Sequence, residues 1–445
     1  MSFNLQDQIA WEKECIERGS QKYFENQDRL RDQGQADQTD VVSHLLHARL
    51  EEVAKKIEEV AEKQIYGVGA KYNKMLRLAT LDCDYKRIAY IGTQCAFQIM
   101  MTKEKNTVLK VCINIASRLE ADLKCAVFKF AHPAYYAAVD RSFKDQKVVD
   151  YQHKHKVLMK KFSDFDLEWD DWTAQSKGMI GQRVLAQVLA VFYDVLFIHR
   201  DWSRGKQTAR LNTTPLFDDW AAEFEKERGF MNPPLLPLKI PPKAWEYGIR
   251  HGGYYTPSMC TKLPFVKTKG KAAKKFVLEA NPQAHRQAVN KMQRTPWMVN
   301  RRVFDIQSEI YTKGLGVGMP SNTQIVPPEF PEHLKEVAKE DLSDNQKEEI
   351  GDWKLCAKNA YSKEQTRKGK VLAFMQSHKL AAELVDWDKF YYAYNCDFRG
   401  RIYCATSGLS PQGADTSKGM LHFAKGLPLG TDGVKWLAIH GANTF

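Results

Sequence analysis

Hydrophobic residues in the first half of the chain recur with the spacing of a helix. Those over Leu46–Val60 step by three or four positions, and those over Ile180–Phe192 repeat the pattern. Such spacing places apolar side chains on one helix face, which then packs into a core. We therefore predict a helical region over Asp7–Trp202.

The pattern becomes extended after this region. Residues His199–Trp220 favour two short strands about a turn at Ser203–Gly205, an arrangement compatible with a hairpin. The proline-rich stretch Asn232–Trp245 is extended, because each proline restricts itself and the residue before it. An acidic helix over Glu329–Asp352, followed by a basic helix, predicts a long helical projection. Aromatic, strand-like residues over Trp387–Tyr403 then mark a new domain.

The segment CDFRGRIY combines strand alternation with charge. In a strand, Asp397, Arg399, Arg401 and Tyr403 share one polar face, and the residues between them pack on the other. Gly400 is unusual inside a strand unless something approaches its backbone closely. Spacing alone fits an exposed strand with solvated arginines equally well.

A turn-rich stretch, SGLSPQGADTSKG, follows and leads into another helix. Asp415, Thr416 or Ser417 is suited to cap a helix that runs to about Lys425. Lys418 then lies in the first turn, where free backbone N–H groups and a cation together favour an anion.

Positive charge is concentrated in one segment. The chain has 66 Lys and Arg against 54 Asp and Glu, a formal net charge of +12. The segment between Lys262 and Arg302 contains one acid, Glu279, and eleven cations: Lys262, Lys267, Lys269, Lys271, Lys274, Lys275, Arg286, Lys291, Arg294, Arg301 and Arg302. With Phe265, Phe276 and Trp297 among them, these cations are typical of nucleic-acid binding. A solvated helix face or another surface patch would explain the same composition.

Other classes of protein are disfavoured. Nine cysteines form no CxxC pair or regular framework, which fits a reducing compartment. His153 and His155 lack a third ligand at the spacing of a closed metal site. Neither a membrane-length apolar run nor a signal sequence is present, so a cytosolic location is the simplest expectation.

Three motifs near the end of the chain resemble a known family. YNCDFRGRIY, LSPQGADTSKGMLHFAKGLPLG and WLAIHGAN follow one another as at the start of the palm domain in single-subunit DNA-directed RNA polymerases of the bacteriophage and mitochondrial type. LPLKIPPKAW with HGGYY, VNKMQRTPWMVNRRV and ECIERGSQKYFENQDRLRDQG also agree with phage members. The resemblance covers most of the chain and is strongest from about Leu235 onward.

The resemblance implies a mainly α fold with small β elements. It divides the chain into a helical promoter-binding domain over residues 1–297, a helical thumb over 298–388 and the beginning of a palm over 389–445. Expected partners are double-stranded promoter DNA, the template strand, nascent RNA and nucleoside triphosphates, with no membrane. A phage-encoded member would act in the host cytoplasm.

The motifs also carry residue roles. By resemblance, Arg399, Arg401 and Tyr403 face the template strand near the active site, and Gln412 and Lys418 lie near template, RNA or hybrid phosphates. Guanidinium groups suit phosphates and a tyrosine ring can stack on a base, so the chemistry of these residues agrees with that role.

The resemblance implies two promoter contacts, and the composition of the basic segment predicts further contacts with phosphates. The basic, glycine-broken loop Ile65–Met75 corresponds to the AT-rich contact, where Lys71 would enter a narrow minor groove. Residues His199–Asn212 correspond to the hairpin that wedges the melted DNA, with Trp202 as the candidate wedge residue. Within the basic segment, the predicted nucleic-acid contacts are Lys267, Lys269, Lys271, Arg301 and Arg302.

The chain also departs from the family. Both metal-binding aspartates, the nucleotide-binding lysine helix and the catalytic tyrosine lie C-terminal to the IHGAN motif in the family, and Asp397, Asp415 and Asp432 do not match them. We therefore expect Mg²⁺ in a complete enzyme, none bound by this chain alone, no catalytic residue here and a separate C-terminal polymerase half. A truncated product and one chain of a split polymerase fit equally well. The alternative is a stand-alone nucleic-acid-binding protein without catalysis.

Overall fold

A computed structural model describes most of the chain as two compact units. One unit comprises Met1–Ser20 and Phe230–Phe445, and the other Gln21–Gly229. The protein is 63% helical with small strands, which confirms the predicted fold class. None of the described helices is both long and apolar enough to cross a membrane. The described residues are 3–79, 84–101, 107–144, 151–165, 167–203, 206–268, 270–316, 318–335, 337 and 342–444.

The unit Gln21–Gly229 is a helical bundle with one hairpin. The first helix, α1 (Leu5–Asp32), contributes residues to both units. A short 3₁₀ turn over Ala36–Gln38 follows it. The remaining elements are α2 (Asp40–Glu62), α3 (Val68–Leu78), α4 (Tyr85–Met101), α5 (Val108–Ala131), α6 (Pro133–Lys144), α7 (Tyr151–Asp164), α8 (Ala174–Val191), β1 (Leu196–Ser203), β2 (Lys206–Thr213) and α9 (Pro215–Phe230).

The predicted apolar stripes form the core of this bundle. Val53 and Ile57 of α2 are fully buried, as are Val184 and Val188 of α8. Gly181 lets α8 approach α5 closely, because a Cβ atom there would overlap the Cys112 carbonyl group. Helical periodicity therefore predicted which faces pack together.

The predicted hairpin is present, and it begins and ends earlier in the chain than expected. Strands β1 and β2 pair antiparallel from Leu196↔Thr213 to Ser203↔Lys206. The pair of strands about this turn is confirmed, but the predicted extent to Trp220 is wrong, because residues from Pro215 onward belong to α9. The two central turn residues at 204–205 lie outside the described part of the chain.

The other unit combines helices with two small sheets. Strands β3 (Val266–Lys267), β5 (Tyr394–Asp397) and β6 (Ile402–Cys404) form one sheet, in which β3 is parallel and β6 antiparallel to β5. Strands β4 and β7 form the second, antiparallel sheet. The elements are α10 (Pro257–Lys262), β3 (Val266–Lys267), α11 (Lys271–Ala280), α12 (Gln283–Gln293), β4 (Trp297–Val299), α13 (Arg301–Thr312), α14 (Asp344–Leu384), β5 (Tyr394–Asp397), β6 (Ile402–Cys404), α15 (Asp415–Gly419), β7 (Leu421–Phe423) and α16 (Gly433–Thr444).

The predicted helical projection is one helix of 41 residues, α14. It begins at a capping box, in which the Ser343 hydroxyl accepts from the Gln346 N–H and the Gln346 side chain accepts from the Ser343 N–H. The prediction that the acidic helix starts at Glu329 is wrong. Apart from a 3₁₀ turn over Glu332–Leu334, the described residues before the cap are not helical, and prolines at 327, 328 and 331 account for this.

Candidate nucleic-acid interface

The CDFRGRIY segment is a tight turn between two short strands. Strand β5 ends at Asp397 and β6 begins at Ile402, so the prediction of one continuous strand is wrong. Gly400 has φ +83° and its N–H donates to the Asp397 carbonyl at 3.0 Å. Glycine adopts this backbone region readily, which explains its presence here. The signal in the sequence is a turn formed by Asp and Gly three positions apart.

The Asp397 carboxylate organises this turn. Its Oδ1 accepts from the Arg399 and Arg401 backbone N–H groups, each at 2.9 Å. Its Oδ2 accepts from Arg401 Nε at 2.7 Å and the Tyr403 hydroxyl at 3.3 Å. Burial opposes ionisation of the carboxyl, but the Arg401 backbone and guanidinium bonds outweigh it, so its pKa lies below the usual range.

Arg401 and Tyr403 lie next to a cation from the basic segment. The Arg401 Cζ atom is 5.7 Å from the Tyr403 ring centroid, and Lys267 Nζ lies 5.3 Å from the same ring. Strand β3 positions Lys267, which pairs with Asp397 across the parallel ladder. Arg399 is exposed in the turn between β5 and β6. The fold thus brings together Arg401, Tyr403 and Lys267, three of the predicted site residues.

The Gln412 side chain supports this site through hydrogen bonds to the backbone of β6. Its Nε2 donates to the Ile402 carbonyl at 3.0 Å, and its Oε1 accepts from the Cys404 N–H at 2.7 Å. Both amide atoms are therefore committed to holding β6. The sequence did not predict these two hydrogen bonds, because a glutamine eight residues after a strand has no distinctive spacing.

Lys418 lies at the end of a short helix. The helix α15 has five residues and ends at Gly419, so the predictions of a helix to Lys425 and of Lys418 in its first turn are wrong. The following residues instead form β7, where Leu421 pairs with Val299. Lys418 Nζ lies 2.8 Å from the Asp415 carboxylate, which lowers the pKa of that aspartate.

The remaining cations of the basic segment differ in their exposure and partners. Lys271 begins α11 and is exposed, and Arg302 is exposed on α13. Arg301 forms an ion pair with Asp386. Arg286 is only 3% exposed, donates to the Asn281 side chain and the carbonyl of residue 248, and has a pKa lowered by burial. Because it is buried, Arg286 cannot contact a phosphate. Lys269 lies outside the described residues.

The two predicted promoter residues lie in the other unit. Lys71 is exposed on α3, which begins at Val68, so the prediction of a loop over Ile65–Met75 is wrong beyond Gly67. The next residue, Tyr72, is buried, and this packing favours the helix. Trp202 lies near the tip of the β1–β2 hairpin with 74% of its surface exposed.

Sequence comparison identifies the relatives of this chain. No protein-family model matches it. T7 RNA polymerase of Escherichia phage T7 is 25% identical over 98% of this chain and 49% of the relative. The mitochondrial DNA-directed RNA polymerase 1B of Nicotiana tabacum is 32% identical over 50% of this chain and 21% of the relative. The DNA-directed RNA polymerase of Enterobacteria phage T3 is 30% identical over 62% and 30%.

The chain is a homologue of the phage-type RNA polymerases. It spans about half the length of the phage T7 relative and matches the N-terminal half of these proteins. This confirms the resemblance inferred from the CDFRGRIY and WLAIHGAN motifs.

A polymerase of this type implies a bound metal ion, which would need His, Cys, Asp or Glu side chains as ligands. Among the described residues, no three His, Cys, Asp or Glu side chains are grouped so that they could hold a metal ion. Asp397 and Asp415 are each engaged with a cation. These side chains do not fit a two-metal site.

Proposed function

We propose that this chain is the N-terminal, nucleic-acid-binding part of a phage-type DNA-directed RNA polymerase. In this proposal it binds promoter DNA, the template strand and the RNA–DNA hybrid during transcription. The observation that carries the proposal is the cluster at the β5–β6 turn, where Arg401 and Lys267 lie over the Tyr403 ring and Arg399 is exposed in the same turn. Its formal charge is +2, from three cations and Asp397.

The geometry of the cluster suits a phosphate backbone. Asp397 binds one edge of the Arg401 guanidinium, whose side chain is 63% exposed. The guanidinium is therefore oriented before any ligand arrives and retains donors for a phosphate oxygen. The half-buried Tyr403 ring lies next to two cations, a combination suited to a base or sugar next to a phosphate.

The promoter contacts belong to the same proposal. Lys71 would reach into an AT-rich minor groove, and the exposed Trp202 would separate the strands at the upstream edge of the melted DNA. Residues 1–297 would form the promoter-binding domain, 298–388 the thumb and 389–445 the beginning of the palm.

Nucleotidyl transfer by two metal ions requires clustered carboxylates, and no three metal-binding side chains are grouped for this among the described residues. Magnesium ions, when bound, stabilise the attacking and leaving oxygens of nucleotidyl transfer. We propose that their carboxylate ligands lie in sequence C-terminal to the WLAIHGAN motif, on a polypeptide that also binds nucleoside triphosphates. This chain would supply the template and promoter contacts to that polypeptide.

Reconstituted synthesis tests the proposal. Mixed with a polypeptide carrying the remaining palm and fingers, this chain should restore magnesium-dependent, template-directed RNA synthesis. Arg401→Ala should lower synthesis by roughly one to two decades, because a charge-assisted contact contributes about 1.5–3 kcal/mol. Promoter binding, measured by fluorescence anisotropy, should change less.

A matched arginine provides the control. Arg250 is exposed in the same unit and distant in sequence from the turn, so Arg250→Ala should leave synthesis unchanged. Equal synthesis by Arg401→Ala would mean that the turn arginines are merely solvated. Promoter binding without any restored synthesis would favour the stand-alone nucleic-acid-binding protein.

A further inference from the structure

Two exposed phenylalanine rings lie side by side next to the proposed template site. Phe276 of α11 and Phe398 of the β5–β6 turn have ring centroids 5.8 Å apart and planes inclined by 43°. They are 58% and 57% exposed. Single exposed apolar residues are common on protein surfaces, but two large rings in contact and open to solvent indicate a binding surface.

The surrounding structure holds both rings in place. Phe276 precedes Val277, the buried residue by which α11 packs on the core. Phe398 lies in the turn closed by the bond from the Gly400 N–H to the Asp397 carbonyl. His285 of α12 packs directly against Gly400 and so supports the turn. The backbone positions that carry the two rings are therefore fixed before a ligand binds, which reduces the entropy lost on binding.

The charge around the pair selects an anionic ligand. Lys275 precedes Phe276, and Arg399 follows Phe398. The nearby acid Glu279 lies 3.7 Å from Lys275 and leaves that part of α11 cationic, because Lys271 and Lys274 are also exposed. A ligand that suits this surface has a planar face for the rings and negative charge for the cations.

We propose that Phe276 and Phe398 form a stacking platform for a base of single-stranded nucleic acid. Lys275 and Arg399 would contact the phosphates on either side of that base. A duplex hides its base faces in the stack, so the platform requires an unpaired strand. This inference rests on the proposed function, since it assumes that the chain binds nucleic acid.

The test compares two single strands with equal charge. The 445-residue chain should bind a short oligothymidylate more tightly than an abasic oligonucleotide with the same number of phosphates. The double variant Phe276→Leu, Phe398→Leu keeps apolar side chains but removes both aromatic faces. It should bind oligothymidylate about fivefold or more weakly, and its affinity for the abasic strand should be unchanged.

A control and a separate readout make the result decisive. Phe423→Leu removes a ring that is also 57% exposed, and should leave the preference for bases intact. An equal preference in the double variant, or none in the wild-type chain, would overturn the platform. Binding of promoter duplex, measured in parallel, separates the two ideas: if it persists, only the platform fails, and if it is absent as well, the proposed function fails.

Discussion

At the scale of single residues, Gly400 is where the site depends most on backbone geometry. Its φ of +83° disfavours any side chain, and a Cβ there would lie 2.8 Å from His285 Nε2. Gly400→Ala should therefore destabilise the chain by about 1–2 kcal/mol. Denaturant unfolding measures this change. Gly351→Ala is the control, because that glycine lies in α14 with open space around it and alanine should stabilise the helix by about 0.5–1 kcal/mol. Equal effects of both substitutions would contradict the role of the turn.

The charge of Asp397 predicts a second residue-scale effect. Because its pKa is lowered in the folded chain, ionised Asp397 contributes stability above its ordinary pKa of about 3.9, and this contribution is lost as pH falls further. Asp397→Asn removes the ionisation. Its unfolding free energy, followed from pH 7 to pH 3, should fall less on acidification than that of the wild-type chain. Parallel pH profiles would show that the carboxylate is not stabilised by its partners.

At the scale of elements, Glu364 of α14 binds an extended segment that includes Ser321 and Ile325. Its carboxylate accepts from the Ile325 N–H at 2.9 Å and from Arg367 Nε at 2.8 Å. Arg367 also donates to the Ser321 carbonyl at 2.8 Å. The Arg367 and Ile325 bonds outweigh burial and lower the pKa of Glu364 to about 2. The bonds to ionised Glu364 should therefore stabilise the folded segment fully above pH 4.5, and this stabilisation should be lost as pH falls toward about 2.

Hydrogen exchange tests whether the Glu364 carboxylate holds this segment on α14. Glu364→Gln keeps the shape of the side chain but loses its charge, so amides of residues 321–326 should exchange faster at pH 7. Glu348→Gln, an exposed substitution near the start of the same helix, is the control and should have no effect on these amides. Unchanged exchange in Glu364→Gln would show that the segment is held by other contacts.

The helix α16 predicts an association. None of its described residues is buried, and Val434, Trp436, Leu437 and Ile439 are exposed. Such a surface favours contact with another apolar face. Trp436→Ser with Leu437→Ser should leave folding intact and weaken binding to the polypeptide that carries the remaining palm, as measured by titration calorimetry. Unaltered affinity would place the contact elsewhere.

At the scale of the whole molecule, the excess positive charge should govern DNA affinity. Each phosphate neutralised contributes about 0.9 to the slope of log affinity against log salt concentration on duplex DNA. We expect a steep negative slope, and replacing Lys271, Lys274 and Lys275 by glutamine should reduce its magnitude by up to about 2.7. Binding that does not respond to salt would exclude phosphate neutralisation as the source of affinity.

The sequence by itself determined the features that depend on neighbouring residues. Apolar spacing predicted the buried faces of α2 and α8, and turn residues between two strand-like runs predicted the hairpin β1–β2. Ordered motifs also identified the polymerase relatives. These signals are local, because helix and hairpin formation depend mainly on residues a few positions apart.

Only the tertiary structure decided which charges form the site. Lys267 reaches Tyr403 because β3 pairs with β5, a contact between segments far apart in sequence. Arg286, from the same basic segment, is buried instead. The segment expected to be one strand contains a turn, because the Asp397 carboxylate accepts hydrogen bonds from the Arg399 and Arg401 backbone N–H groups on both sides of Gly400. Counting cations cannot separate these cases, because burial and hydrogen-bond partners depend on packing between distant segments.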